Sequence, residues 1–115
     1  MPKVPLTRIA MARSGDKGEG SNVGVIARSD AAFEFLQREL CVERVQSHME
    51  AINAGGVRRF LAPNLRLINF LLADSLGGGG SASLLTDAQG KTHGLALLRL
   101  VLDVPQAVLD ATPLP

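Results

Sequence analysis

A short segment near the start of the sequence concentrates the residues that could bind an anion or move a proton. From Arg13 to Asn22 it reads Arg-Ser-Gly-Asp-Lys-Gly-Glu-Gly-Ser-Asn. Glycines allow successive backbone N–H groups to point into one concavity that can hold an anion. Arg13 and Lys17 add positive charge, and an arginine can grip a carboxylate or phosphate with two parallel hydrogen bonds. We therefore predict a loop between two strands that forms an anion-accepting pocket.

The predicted ligand-binding residues of this segment are Arg13, Ser14, Gly15, Asp16, Lys17, Gly18 and Asn22, and Asp16 is the candidate acid or base. The simpler interpretation is a solvated hairpin loop in which Asp16 pairs with a neighbouring cation, and spacing alone favours it. The segment is not a Walker loop, because no Gly-Lys-Ser/Thr follows a four-residue gap. The glycines from Gly18 to Gly24 miss the dinucleotide-binding spacing by one residue.

Two later features extend this candidate site. Asn69 interrupts an otherwise apolar stretch, and a buried amide needs hydrogen-bond partners. It either bonds to a neighbouring strand or loop, or faces the glycine-rich segments and contacts a ligand. The run Gly77–Gly80 is either a flexible turn or a place where a ligand or another backbone comes close. Gly77, Gly78 and Gly79 are accordingly included among the predicted ligand-binding positions.

The remaining reactive side chains predict neither a metal centre nor a nucleophile. His48 and His93 are far apart, with no Cys, Asp or Glu at metal-ligand spacing. Cys41 has no nucleophile signature around it and is expected to be a small core residue. No Ser-His-Asp arrangement or nucleophile-elbow motif is found, and the sequence calls for no cofactor.

Composition and charge describe one folded domain over 1–115, with a core over about 4–105 and a peripheral tail over 106–115. Hydrophobic residues make up 46% and charged residues 20% of the chain. Aromatic residues are only 3%, so the chain has no platform on which nucleic-acid bases could stack. The net charge of +1 does not favour nucleic acid or a membrane as partner. The single cysteine, with no apolar leader or span, predicts a cytoplasmic protein.

Hydrophobic patterning of the first half predicts strands over Val4–Ala12 and Val23–Arg28, the second apolar on both faces and therefore central. Ser29 or Asp30 is expected to cap a helix that runs to about Leu40. A further helical stretch follows, and its apolar stripe consists of Val42, Val45, Met49 and Ile52. Periodicity leaves open whether 29–54 form one bent helix or two.

The second half is predicted to begin with a strand over Val57–Ala62, ended by Pro63. A helix over Leu65–Leu76 would be apolar nearly all round and would need burial on more than one side, which predicts a homo-oligomer. Strands over Ser83–Thr86 and Thr92–Val104 would form a hairpin. The order β-β-α(α)-β-α-β-β predicts an α+β fold, a mostly antiparallel sheet with helices packed on one face.

Several of these motifs together resemble the AtuA-like ferredoxin-fold domain family. The resemblance begins with Ala12-Arg13-Ser14-Gly15-Asp16-Lys17-Gly18 and Asn22-Val23-Gly24-Val25-Ile26-Ala27-Arg28. It continues in the family's order through Pro63-Asn64-Leu65, Asn69-Phe70, Leu76-Gly77-Gly78-Gly79, and Asp87 with Gly90-Lys91. The match covers roughly Ile9 to Pro105. The first motif is specific, and the order of the weaker ones adds weight.

The resemblance implies a ferredoxin-like layered fold. The family occurs as the carboxyl-terminal part of acyclic terpene utilisation proteins and as stand-alone chains, and the larger proteins are associated with the breakdown of branched acyl-CoA compounds. It implies no assigned catalytic residues. This sequence departs from the pattern at Leu85, where an arginine is expected, and at Leu61-Ala62, where an acidic residue commonly precedes the proline.

Two functions from different classes follow. In the first, the chain is an accessory or ligand-binding subunit that assembles with itself and with a larger AtuA-type protein, and takes an anionic small molecule at the Arg13–Asn22 segment. In the second, it is a small enzyme acting on an acyl thioester or carboxylate. Asp16 would then act as acid or base, Arg13 and Lys17 would hold the anion, and Asn22 or Asn69 would polarise a carbonyl. The first is preferred, because the sequence gives Asp16 no evident source of a raised pKa.

Overall fold

The structure, a computed structural model, describes residues 1–17, 20–49, 56–72 and 94–114, with backbone only at 16, 17, 20 and 21. Its strands are β1 (Lys3–Pro5), β2 (Ala10–Lys17), β3 (Gly20–Ala27), β4 (Val57–Ala62), β5 (Leu67–Leu72) and β6 (Val101–Asp103). Its helices are α1 (Asp30–Glu39), α2 (Val42–His48) and α3 (Gln106–Asp110), and residues 94–97 are also helical. Short 3-10 turns occupy Leu6–Arg8 and Pro63–Leu65.

Four of these strands form one antiparallel sheet in the order β2-β3-β5-β4. The prediction of a central second strand is confirmed, since β3 lies between β2 and β5. Strand β1 pairs instead with β6 in a separate two-stranded sheet. The observed elements are those of an α+β fold, as predicted.

The hydrophobic core lies between the four-stranded sheet and helices α1 and α2. Alternate residues of the two central strands are buried, namely Val23, Val25 and Ala27 of β3 and Ile68, Phe70 and Leu72 of β5. Helix α1 contacts β3, and α2 contacts β4. From α1 the side chains of Phe33 and Leu36 complete this layer. The opposite side of the sheet, which we call the outer face, carries the other half of each strand.

The segment from 29 onward forms two helices, which settles the question that periodicity left open. Ser29 caps α1 as predicted, and its Oγ accepts a hydrogen bond from Ala32 N at 3.0 Å. At Leu40 the backbone leaves the helical region, with ψ of 71°, and α2 begins after Cys41. Helix α2 buries Val45, and Met49 is buried just beyond its end. Ile52 lies outside the described residues.

The predicted loop over Arg13–Asn22 is wrong, because most of it is strand. Strand β2 extends to Lys17 and β3 begins at Gly20, and the two remain paired as far as Lys17 opposite Gly20. At Gly15 the missing side chain leaves room for the amide of Asn22, which lies opposite. The predicted strand Val4–Ala12 is likewise divided by the 3-10 turn at Leu6–Arg8.

The predicted helix over Leu65–Leu76 is also wrong, since Leu67–Leu72 is strand β5. Its residues alternate between half-buried and buried, the two-residue period of a strand. A short apolar run suits a central strand as well as a buried helix, and periodicity alone does not separate them. The homo-oligomer inferred from an all-apolar helix loses that basis. The strand over 57–62 is confirmed.

The predicted strand over Thr92–Val104 is too long. In the described part of this range, Val101–Asp103 forms strand β6 and residues 94–97 are helical. The segment predicted as a peripheral tail instead packs against α1 and buries Val108 and Thr112. Arg8 holds this segment in place, because the Arg8 guanidinium donates hydrogen bonds to the carbonyl oxygens of Thr112 at 2.9 Å and Leu109 at 3.1 Å. The predicted strand over Ser83–Thr86 lies outside the described residues.

Candidate functional site

The register of the sheet brings the predicted site residues into rows across the outer face. Arg13 lies opposite Gly24, Gly24 opposite Asn69, and Asn69 opposite Phe60. We call these four residues the site row. Residues directly opposite each other in a ladder lie on the same face. The site row therefore places the guanidinium of Arg13 and the amide of Asn69 on one surface, with a glycine between them.

A pair of asparagines forms the polar centre of this surface. Asn22 Nδ2 donates a hydrogen bond to Asn69 Oδ1 at 2.8 Å, and both side chains are half-buried. The bond uses one N–H of Asn22 and one lone pair of Asn69 Oδ1, whereas each amide has two N–H groups and two lone pairs. The pair can therefore present further donors to a ligand while each amide orients the other.

Two glycines make room for this amide pair. A β-carbon on Gly15 would lie 3.2 Å from Asn22 Oδ1. A β-carbon on Gly24 would lie 3.1 Å from Leu67 Cδ1 and 3.7 Å from Asn69 Oδ1. The distances of 3.2 Å at Gly15 and 3.1 Å at Gly24 are shorter than the ordinary van der Waals contacts of a carbon atom. Glycine at positions 15 and 24 thus leaves the middle of the outer face concave.

The concavity is a groove of about 410 Å³ that combines polar and apolar walls. We call it the amide groove, and its lining residues are Arg13, Ser14, Gly15, Asn22, Gly24, Ile26, Leu67 and Asn69. Arg13 and the two asparagines supply charge and hydrogen bonds at one part of the groove. Ile26 and Leu67, which pair across β3 and β5, supply an apolar wall. Such a lining suits a small anion or carbonyl compound with an aliphatic portion.

A second groove, of about 490 Å³, lies on the helix side of the same strand. It shares Arg13 and Ser14 with the amide groove and is otherwise lined by Ala12, Gly94, Leu95 and Leu98. A β-carbon on Gly94 would lie 3.0 Å from Ser14 Oγ, so glycine permits the helical segment 94–97 to approach β2. Arg13 and Ser14 are therefore the residues of β2 that border both grooves.

Of the predicted site residues, five meet in the amide groove, namely Arg13, Ser14, Gly15, Asn22 and Asn69. Asp16 and Lys17 belong to β2, with backbone alone described, and Gly18, Gly77, Gly78 and Gly79 lie outside the described residues. The predicted cluster of loop amides does not form over Arg13–Lys17, because this backbone belongs to the ladder with β3.

Sequence reasoning missed Gly24, Ile26 and Leu67 as groove residues. The sequence did contain a signal, namely a glycine, Gly24, inside one apolar stretch and a single polar residue, Asn69, inside another. Using it requires knowing that Leu67–Leu72 is a strand, since a helix would not set Asn69 opposite Gly24. The error in secondary structure therefore hid three of the lining residues.

Within residues 1–17, 20–49, 56–72 and 94–114, the His, Cys, Asp and Glu side chains form no group that could hold a metal ion. In the same part of the chain no helix has the length and apolar character needed to cross a membrane.

Comparison with known proteins adds the family. The model of the AtuA ferredoxin-like domain matches residues 4–103, a range that contains strands β2 to β6, all of β1 but Lys3, and the whole amide groove. Comparison with curated proteins and with solved structures finds no match. The family model and the α+β arrangement of strands and helices agree on a ferredoxin-like fold, and the chain belongs to the AtuA ferredoxin-like domain family.

Proposed function

We propose that this chain is a ligand-binding accessory subunit that works with a larger AtuA-type protein in acyl-CoA or terpenoid catabolism. The observation that carries the ligand-binding part is the Asn22–Asn69 amide pair, held beside Arg13 in a groove whose other wall is apolar. The family resemblance motivates the choice of partner and of metabolism, and the groove motivates the choice of ligand.

The ligand class follows from the lining. The guanidinium of Arg13 suits a carboxylate, with which arginine forms charge-assisted hydrogen bonds. The amide pair suits a carbonyl oxygen, including that of a thioester, since amide N–H groups donate to it. Ile26 and Leu67 suit a short branched aliphatic chain. A branched acyl group, as carboxylate or thioester, satisfies all three parts of the groove.

The accessory role rests on what the groove offers chemically. Its described side chains are one cation, two amides, one hydroxyl and two aliphatic groups, a set suited to holding a ligand. The alternative, a small enzyme with Asp16 as acid or base, gains no support from the contacts of the described residues. Catalysis would then depend on groups that a larger partner brings to the groove.

Titration of the protein with 3-methylbutanoate and with its coenzyme A thioester tests the proposed ligand class. Binding is measured by backbone NMR chemical shifts and by calorimetry. Binding is expected to move the amide signals of residues 13–15, 22–24 and 67–69. Arg13→Gln is expected to weaken binding of the carboxylate by roughly 10- to 100-fold, the range of a charge-assisted hydrogen bond. Arg58→Gln is the matched control, because Arg58 is an exposed arginine of β4 outside the groove. Equal losses in the two variants, or no binding of either probe, would contradict the proposed ligand.

Affinity purification tests the partner. The tagged chain, co-expressed with a large AtuA-type protein from the same genome, is expected to retain it under gentle conditions. Failure to co-purify would count against the accessory role while leaving the ligand-binding result intact.

A further inference from the structure

The end strand of the sheet exposes apolar side chains on both of its faces. In β4, Phe60 is 50% exposed and its neighbour Leu61 is 39% exposed. Consecutive residues of a strand point to opposite faces. A partner lying on one face would cover only one of these side chains. A strand added beside β4, in the plane of the sheet, would contact both.

Within the described residues, the outer edge of β4 can accept such a strand. Among the strands that the structure describes, β4 pairs with β5 alone and ends the four-stranded sheet. Charged residues are one of the means by which natural proteins protect such edges. Here Arg59 is engaged elsewhere, since its Nη1 donates to the carbonyl oxygens of Gln37 and Leu40 at 3.0 Å each. Arg58 therefore carries the remaining charge of this edge.

We propose that two copies of this chain join through β4, antiparallel about a two-fold axis at Phe60. In that register Phe60 lies opposite Phe60 of the partner subunit. Arg59 lies opposite Leu61 of the partner subunit, and Arg58 opposite Ala62 of the partner subunit. No two arginines face each other, and the aromatic rings meet at the centre, where cross-strand aromatic pairs stabilise a sheet.

Neighbouring registers fit less well. An axis at Arg59 would set two guanidinium groups directly opposite each other, which destabilises a strand pair. An axis at Leu61 would pair strand residues with strand residues only over 60–62, whereas the axis at Phe60 does so over 58–62. The sequence of β4 thus selects Phe60 as the centre.

This axis lies on the site row. Phe60 ends the row that begins at Arg13, so pairing at Phe60 continues the row into the second copy. A perpendicular two-fold axis leaves the outer faces of both copies on one side. Because neighbouring strands are about 4.8 Å apart, the two copies of Asn69 would lie about 14 Å apart, three strand spacings. The two amide grooves would therefore open side by side on one continuous sheet.

Sedimentation velocity over a range of concentrations tests the association. The wild-type chain is expected to sediment with twice its monomer mass. Phe60→Glu would set two carboxylates opposite each other and is expected to sediment as a monomer at the same concentrations. Leu65→Glu is the matched control, because Leu65 is 61% exposed but lies in the turn after β4. Circular dichroism of each variant checks that it is folded.

The proposal fails if the wild-type chain is monomeric throughout, if Phe60→Glu leaves the dimer intact, or if Leu65→Glu dissociates it equally. Disulfide trapping then tests the register, in a Cys41→Ala background. Directly opposed residues have Cα atoms about 4.5–5.5 Å apart, within the range that a disulfide spans. Phe60→Cys is expected to form a cross-linked dimer on oxidation. Arg58→Cys is expected to remain uncross-linked, because its partner copy lies four residues away along the strand; equal cross-linking would overturn the register.

Discussion

Gly15 lies directly opposite Asn22 in the β2–β3 ladder, and a β-carbon on Gly15 would lie 3.2 Å from Asn22 Oδ1. The oxygen of Asn22 thus occupies the space that any other residue at position 15 would fill. Glycine here sets the direction of an amide that is itself bonded to Asn69.

Gly15→Ala is therefore expected to displace the Asn22 amide and weaken binding of the carboxylate probe by a factor of about 2 to 10, the worth of one neutral hydrogen bond. The free energy of unfolding is expected to change by less than about 1 kcal/mol, because alanine also restricts the unfolded chain. Calorimetry and urea denaturation measure the two effects. Gly56→Ala is the control, since among the described residues no atom beyond its chain neighbours lies within 4 Å of a β-carbon there, and binding should not change.

Arg59→Ala is expected to lower the free energy of unfolding by about 1–3 kcal/mol. The side chain donates to two carbonyl oxygens at the end of α1, where a cation is also favoured by the helix dipole. Arg58→Ala, the adjacent but exposed arginine, should change stability by less than about 0.5 kcal/mol. Denaturation of both variants at low protein concentration makes the comparison, and similar values would contradict this role for Arg59.

Ser29 and Thr112 should be energetically coupled. Their hydroxyl oxygens lie 2.7 Å apart, Ser29 caps α1, and Thr112 also donates to Val108 O at 2.7 Å while only 1% exposed. Ser29→Ala and Thr112→Val are each expected to cost about 1–2 kcal/mol. In a double-mutant cycle, the loss of stability in the double variant should be smaller than the sum of the two single losses by about 0.5–1.5 kcal/mol. A loss equal to that sum would show that the contact contributes nothing.

Arg66 is expected to tolerate glycine better than a β-branched residue. It has φ of 53° in the turn between β4 and β5, a left-handed conformation. Its Nε lies 2.8 Å from Asp30 Oδ1, but this pair is largely exposed and worth at most about 1 kcal/mol. Arg66→Gly should remain within about 1 kcal/mol of the wild type, and Arg66→Val should fall about 1–2 kcal/mol lower than Arg66→Gly. Thermal denaturation of both variants measures the difference, and equal stabilities would contradict it.

Prediction from sequence succeeded where a local rule decides the structure. The cap at Ser29 depends on a short side-chain oxygen, and the end of β4 depends on Pro63, which has no N–H. Both features act within a few residues, and the structure has both.

Prediction from sequence failed where the structure of a segment depends on the strands that pair with it. Leu67–Leu72 is a strand because it pairs with β3 along one edge and β4 along the other, and its own sequence does not contain those pairings. Gly15 suggested a loop, but it is a strand residue that lies opposite Asn22. The structure brings Arg13 and Asn69 together in the amide groove, yet the surface that joins them was not foreseen.

The pairing of β1 with β6 also constrains how the protein can be made. Pro2 O accepts a hydrogen bond from Val104 N at 2.9 Å, so the first strand is completed only by residues near the other end. At roughly 5–20 residues per second on the ribosome, the first strand waits about 5–20 s for its partner. During synthesis the hairpin of β2 and β3 can form early, while residues 1–5 stay exposed to chaperones and proteases until residues 101–104 have left the exit tunnel.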